Sequence, residues 1–243
     1  MGMSRWLVVT ALAGLCMLAY GPALFLPFIA DDYVQIRLAR HFVSIEGWSA
    51  LASDALYRCR ATSLLLTYWT DRIFGLNELA FYASSQLLHL LNTLLVFSLG
   101  AWRAIGWRVS TIAAAFFAIY QGHQEAVMWY SALPELLVFL FAVACFLFWV
   151  LWLQSDGRHA YYAASLVCFG LALLSKESAV AVVGLLALAI CVERTQWRRR
   201  ILWLTPFAAL AVVYAALIFA ARNTHLHFND AGTFSITQGN KYR

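Results

Sequence analysis

Asp31 and Asp32 stand side by side, directly after Trp6 to Ile29, a run of 24 residues without a charge. At about 1.5 Å per residue that run makes roughly 36 Å of helix, enough to cross a bilayer core. Two carboxylates where a spanning helix leaves the membrane are costly unless they face water, a cation or a substrate, so they are the first candidates for chemistry. Adjacent side chains project in different directions from the backbone, and the two acids therefore take different partners. Asp32 is the better placed of the two to cap the helix that follows. Two more polar groups interrupt apolar sequence further on, His123-Gln124-Glu125 and Lys176-Glu177.

The elements that must position these groups are membrane helices. With 63% hydrophobic residues, 12% charged residues, 10 Trp and 17 Phe, the chain holds more apolar surface than a soluble domain of 243 residues could bury. The expected fold is all-α, a polytopic membrane helix bundle. Apolar runs place about seven crossings near 6–29, 79–102, 109–122, 134–153, 160–174, 179–192 and 201–221. Residues 30–78 form a first outer loop with interfacial helices at Tyr33 to Phe42 and Thr62 to Phe74, the second stopped by Gly75 and Asn77. Residues 222–243 read as the start of a later outer loop. The basic start before the first run reads as an uncleaved signal anchor.

Charge orients the bundle. Arg5, Arg103, Arg108, Arg158, Arg194, Arg198, Arg199 and Arg200 fall on the side of the N-terminus with only Asp156 and Glu193, whereas the other side carries nine basic and ten acidic residues. The positive-inside rule then makes the N-terminus cytoplasmic and the Asp-Asp loop extracytoplasmic. The net charge of +5 is thus an orientation signal, and nucleic acid is not an expected partner. Four of five cysteines lie in apolar segments, so no disulfide framework is indicated.

Three of the apolar runs are short. Only 14, 15 and 14 residues make up 109–122, 160–174 and 179–192, where about 20 are needed for a core of roughly 30 Å. The polar groups at their outer ends therefore lie below the outer lipid surface, and a wet, charged cavity is expected there with Asp31 and Asp32 at its mouth. Plainer readings stand beside this one. Asp32 followed three residues later by Gln35 has the spacing of a helix N-cap. Lys176 and Glu177 fit the snorkelling tip of a tight hairpin. His89 and Asn92, three apart on the second span, fit a structural interhelical hydrogen-bonding pair.

No Gly-rich phosphate loop, CxxC pair or His-x-x-x-His helix is present, so soluble nucleotide and zinc chemistry have no support. The lack of an Asn-x-Ser/Thr sequon points to a bacterial inner membrane. The series Asp31-Asp32-Tyr33, Arg60, Phe74-Gly75-Leu76-Asn77 and Leu87-Leu88-His89-Leu90-Leu91-Asn92 resembles the GT-C superfamily of polyprenyl-phosphate-sugar-dependent glycosyltransferases. Within it, the likeness is to the protein O-mannosyltransferase type that often carries tetratricopeptide repeats. Phe117-Ala118, His123 to Trp129 and Ala172 to Val180 continue the likeness in order through residues 30–190. Departures from the family pattern are Arg60-Ala61 for Arg-Pro, Tyr120-Gln121 for His-Pro, Leu133 for an arginine, and Tyr82 and Ser85 for a His and an Asn.

The resemblance implies transfer of a sugar from a polyprenyl-phosphate donor to a hydroxyl of a protein or glycan acceptor, with inversion, at the extracytoplasmic side. In that reading Asp31 is the base with Asp32 as its alternative, Asp32 is the residue expected to hold a divalent ion or an arginine, Arg60 and then Lys176 hold the phosphate, and His123, Glu125 and Glu177 line the cavity. The family's length implies further spans, so the chain reads as an N-terminal portion. Two other classes stay open: a transporter or flippase component, and a non-catalytic membrane scaffold or remnant. The transporter class calls for polar residues through the full bilayer depth and an internal repeat, and the sequence shows neither.

Overall fold

The computed structural model describes residues 5–42, 55–155, 158–193 and 197–224. They form helices α1 (Arg5–Tyr20), α2 (Ala30–Phe42), α3 (Ala55–Phe74), α4 (Glu78–Ser98), α5 (Gly106–Ile119), α6 (Gln124–Met128), α7 (Leu133–Gln154), α8 (His159–Leu173), α9 (Val182–Glu193), α10 (Trp197–Arg200) and α11 (Thr205–Thr224). Short 3-10 turns join several of them, and among the described residues there is no strand.

Burial is inverted relative to a soluble protein. Trp6, Leu18, Phe25, Ile112 and Val212 are largely exposed, while Ser85, Gln86, His89, Asn92 and Thr93 are buried on α4. These five polar residues recur at helical spacing on one face, and Leu87 and Leu91 stand on the other at 56% and 39% exposure. A surface of exposed leucine, valine and tryptophan around a polar interior is stable only where lipid is the solvent, so this is an integral membrane protein.

Seven crossings are expected from the sequence. The structure has four helical segments long and apolar enough to cross a membrane: Arg5–Phe25, Glu78–Ala101, Tyr130–Gln154 and Trp197–Ala220. The other three expected crossings are α5, α8 and α9, with 14, 15 and 12 residues. They are about 18 to 23 Å long and fall short of the hydrocarbon core by themselves. The count of seven is thus not confirmed: four helices are of spanning length and three apolar ones are short.

Contacts define the two ends of the bundle. At one end the Arg5 guanidinium lies 4.3 Å from the Trp107 ring, the Trp102 indole donates to Glu193 at 2.6 Å, and Arg200 donates to the Leu153 carbonyl at 2.8 Å. At the other end Thr62 of α3 donates from its amide to the Leu174 carbonyl at 3.2 Å and from its hydroxyl to Ser175 at 2.7 Å. Arg5 and Arg200 thus lie at the end opposite to the Asp-Asp pair.

The expected loop helices exist but are longer. The first begins at Ala30 and the second at Ala55, so Arg60 stands on a helix and not in a loop. They pack on each other, and Arg40 makes two bonds of 2.7 Å to Asp71 across the pair. Gly75 ends α3 as expected, with φ +64 and its amide donating to the Asp71 carbonyl at 2.8 Å. Asn77 then becomes the N-cap of α4. Of the expected outer loop 222–243, residues 222–224 still belong to α11 and the remainder lies outside the described residues. Arg194 and Asp156 of the charge count lie outside them too.

Candidate active site

The first turn of α2 separates the two aspartates. Asp32 is the third helical residue and fully buried, and its carboxylate accepts from four donors. Oδ2 takes the Ile29 amide at 3.0 Å and shares the Tyr82 hydroxyl, at 3.3 Å, with the Pro27 carbonyl, which lies nearer at 3.0 Å. Oδ1 takes the Ser131 amide at 2.9 Å and its hydroxyl at 3.1 Å. The expected N-cap arrangement with Gln35 is not what forms. Asp32 reaches backward to the residue before the helix, which is the returning half of a capping box, and Gln35 instead donates to Ser63 at 3.3 Å. Asp31, one residue earlier, is exposed and faces a hollow.

That hollow has a volume of about 640 Å³ and is lined by Asp31, Arg60, His89, Asn92, His123, Glu125 and Glu135, with Phe117, Trp129 and Phe139 among its apolar walls. Six helices, α2 to α7, meet there. α2 brings Asp31, α3 brings Arg60, and α4 brings His89 and Asn92. His123 and Glu125 come from the turn after the short α5 and from the one-turn α6, while Glu135 sits in the first turn of α7 behind Pro134. The hollow exists because α5 stops at Ile119, leaving the outer ends of α4 and α7 uncovered by a full-length neighbour.

Lys176 and Glu177 do not line the hollow itself. They line a smaller recess of about 60 Å³ beside it, which shares Arg60, Ser131 and Glu135 with it. Lys176 ion-pairs with Glu135, tying the turn after α8 to the start of α7. Glu135 is the charged residue that sequence reading missed. Its signal was present, since an acid just after a proline at a helix start is favoured by the helix dipole. Ser131 and Tyr82 were likewise missed as partners of Asp32, and Tyr82 is one of the positions departing from the family pattern.

The two histidines are fixed by backbone carbonyls, which can only accept. His123 donates from Nδ1 to Phe117 at 3.1 Å, and burial lowers its pKa from the ordinary histidine value, with the carbonyl bond opposing. His89 donates from Nε2 to Ala118 at 3.2 Å, and Asn92 donates from Nδ2 to Leu136 at 3.0 Å. His89 and Asn92 are thus interhelical bonds, as expected, but to α5 and α7 separately and not as a pair with each other.

A family model described as dolichyl-phosphate-mannose-protein mannosyltransferase matches residues 63–219, well over half of the chain. The chain belongs to that family. The match begins after Asp31, Asp32 and Arg60 and takes in α4 to the body of α11, so this mannosyltransferase-family chain is matched on its bundle and not on its acidic pair. The family is one of glycosyltransferases, and the GT-C resemblance is correct. No curated protein and no solved structure matches the chain.

A divalent ion does not suit Asp32, the residue expected to hold one. Both of its oxygens already accept N–H or O–H donors, and two of those donors are backbone amides that have no lone pair for a metal. Among the described residues no cluster of three His, Cys, Asp or Glu has the closeness a metal ion needs.

Proposed function

We propose that this chain is a membrane glycosyltransferase that moves a sugar from a polyprenyl-phosphate donor to an acceptor hydroxyl on the extracytoplasmic side. The observation that carries the reading is the division of labour between the aspartates. Asp32 is spent on four internal donors and braces α2 against α4 and the Ser131 turn, while Asp31 stands free of that network in a hollow that also holds Arg60.

The donor has a good leaving group already, so the demands on the protein are a base and a cation. The acceptor oxygen attacks the anomeric carbon and gives its proton to the Asp31 carboxylate. The bond from that carbon to the phosphate oxygen breaks, and the polyprenyl phosphate leaves with its negative charge held by the Arg60 guanidinium. One displacement inverts the anomeric centre. The short α5, α8 and α9 support delivery from the side, because they put the hollow at the depth of a lipid phosphate. The arginine-rich opposite end supports a cytoplasmic N-terminus.

The test is transfer of labelled mannose from polyprenyl phosphate mannose by membranes containing the chain. Asp31→Asn should lower turnover at least a hundredfold while donor binding persists. Full activity in Asp31→Asn would remove the proposed base. Loss confined to Asp32→Asn in a protein of unchanged stability would exchange the two roles.

A further inference from the structure

The inner end of the hollow carries two acceptor atoms without donors. His89 and Asn92 are both 0% exposed, yet both line the cavity. Because the Ala118 carbonyl takes the proton on His89 Nε2, the neutral ring presents a lone pair at Nδ1. Because the Leu136 carbonyl takes the Asn92 amide hydrogen, Oδ1 is turned the other way. Nδ1 of His89 and Oδ1 of Asn92 are buried, and neither meets a donor among the described residues. Buried polar atoms in native proteins are satisfied as a rule, so this end suits a ligand that brings hydroxyl donors.

The chemistry excludes the phosphate from that place. Two bare acceptors repel an anion, whereas Arg60 attracts one. Beside the acceptors, the Phe117 ring stacks on His89 at 5.5 Å and on Phe139 at 4.9 Å, and both phenylalanines line the hollow. An apolar ring face next to paired acceptors suits a pyranose, which offers a C–H face and several hydroxyls at its edge.

We propose that His89 and Asn92 read the hydroxyls of the transferred hexose, giving the hollow a polarity with phosphate at Arg60 and sugar at α4. This deepens the glycosyltransferase reading and rests on it. The test compares binding of polyprenyl phosphate mannose, its monodeoxy analogues and sugar-free polyprenyl phosphate to the purified chain. Asn92→Leu should weaken the mannose lipid about tenfold and leave the sugar-free lipid within twofold, whereas Arg60→Gln should weaken both. On the unaltered protein at least one monodeoxy analogue should bind about tenfold more weakly than the parent, a comparison that needs no variant to fold. Equal weakening of both lipids by Asn92→Leu, or equal binding of every deoxy analogue as for acceptors that hold only water, overturns the sugar assignment alone. Failure of the unaltered chain to bind either lipid overturns the glycosyltransferase reading and this assignment with it.

Discussion

At the scale of single residues, two neighbouring aspartates have opposite surroundings and should respond oppositely to substitution. Asp32→Ala leaves the Ile29 and Ser131 amides without their acceptor, at about 1–3 kcal/mol for each buried group left unpaired, while the Tyr82 hydroxyl keeps the Pro27 carbonyl. We expect a loss of roughly 2 kcal/mol or more in chemical denaturation. Asp31→Ala, which breaks none of these bonds, should stay within about 0.5 kcal/mol of the parent. His123 gives a pH signature. Its folded pKa lies below its unfolded one, so the unfolded chain binds the proton first, and stability is present above the unfolded value and lost as pH falls through the folded one. Thermal midpoints should therefore decline on going from pH 7 towards 5, and His123→Gln should flatten that slope.

At the scale of elements, the approach of α4 to α5 depends on Gly100. A methyl group there would come within 2.4 Å of the Ser110 hydroxyl and 2.9 Å of the Trp107 backbone. Gly100→Ala should destabilise by about 1–3 kcal/mol in the same denaturation experiment. Gly75→Ala, where nothing crowds the added carbon but φ is +64, should cost about 1 kcal/mol from backbone conformation alone. The elements themselves were largely legible in sequence. Uncharged runs are unmistakable, Gly75 and Asn77 marked the end of one helix and the start of the next, and the shortness of α5, α8 and α9 could be counted. Their boundaries around residues 55–62 were less so, because an apolar pattern broken by Arg58 and Arg60 reads as a loop until α2 and the Ser175 turn are there to pack on it. The site was legible in its parts but not in its arrangement. Local spacing marked Asp32 as a capping residue, but its full burial rests also on a hydroxyl and an amide at Ser131, some hundred positions away in the chain. Lys176 stands in the recess and not the hollow because Glu135, unnoticed in the sequence, holds it there.

At the scale of the whole molecule, the hollow lies at the end of α5, one of three apolar helices of 12 to 15 residues among others of spanning length. On the proposed reading, a membrane close to the length of the short helices would bring the donor phosphate level with Arg60, and a thicker one would lift it away. Transfer measured in vesicles of graded acyl-chain length should pass through a maximum in thinner bilayers and fall as chains lengthen, while binding of a detergent-solubilised donor stays constant. The buried polar face of α4 bears on how the protein is made. A segment that exposes mainly leucine on one side, and buries on the other Gln86, His89, Asn92 and Thr93, is poorly matched to hydrocarbon until α1, α5 and α7 have closed around it. Its release from the insertion machinery should therefore wait for sequence synthesised after it, so that a nascent chain arrested just past α4 stays beside the translocon while one arrested past α7 is handed over to lipid.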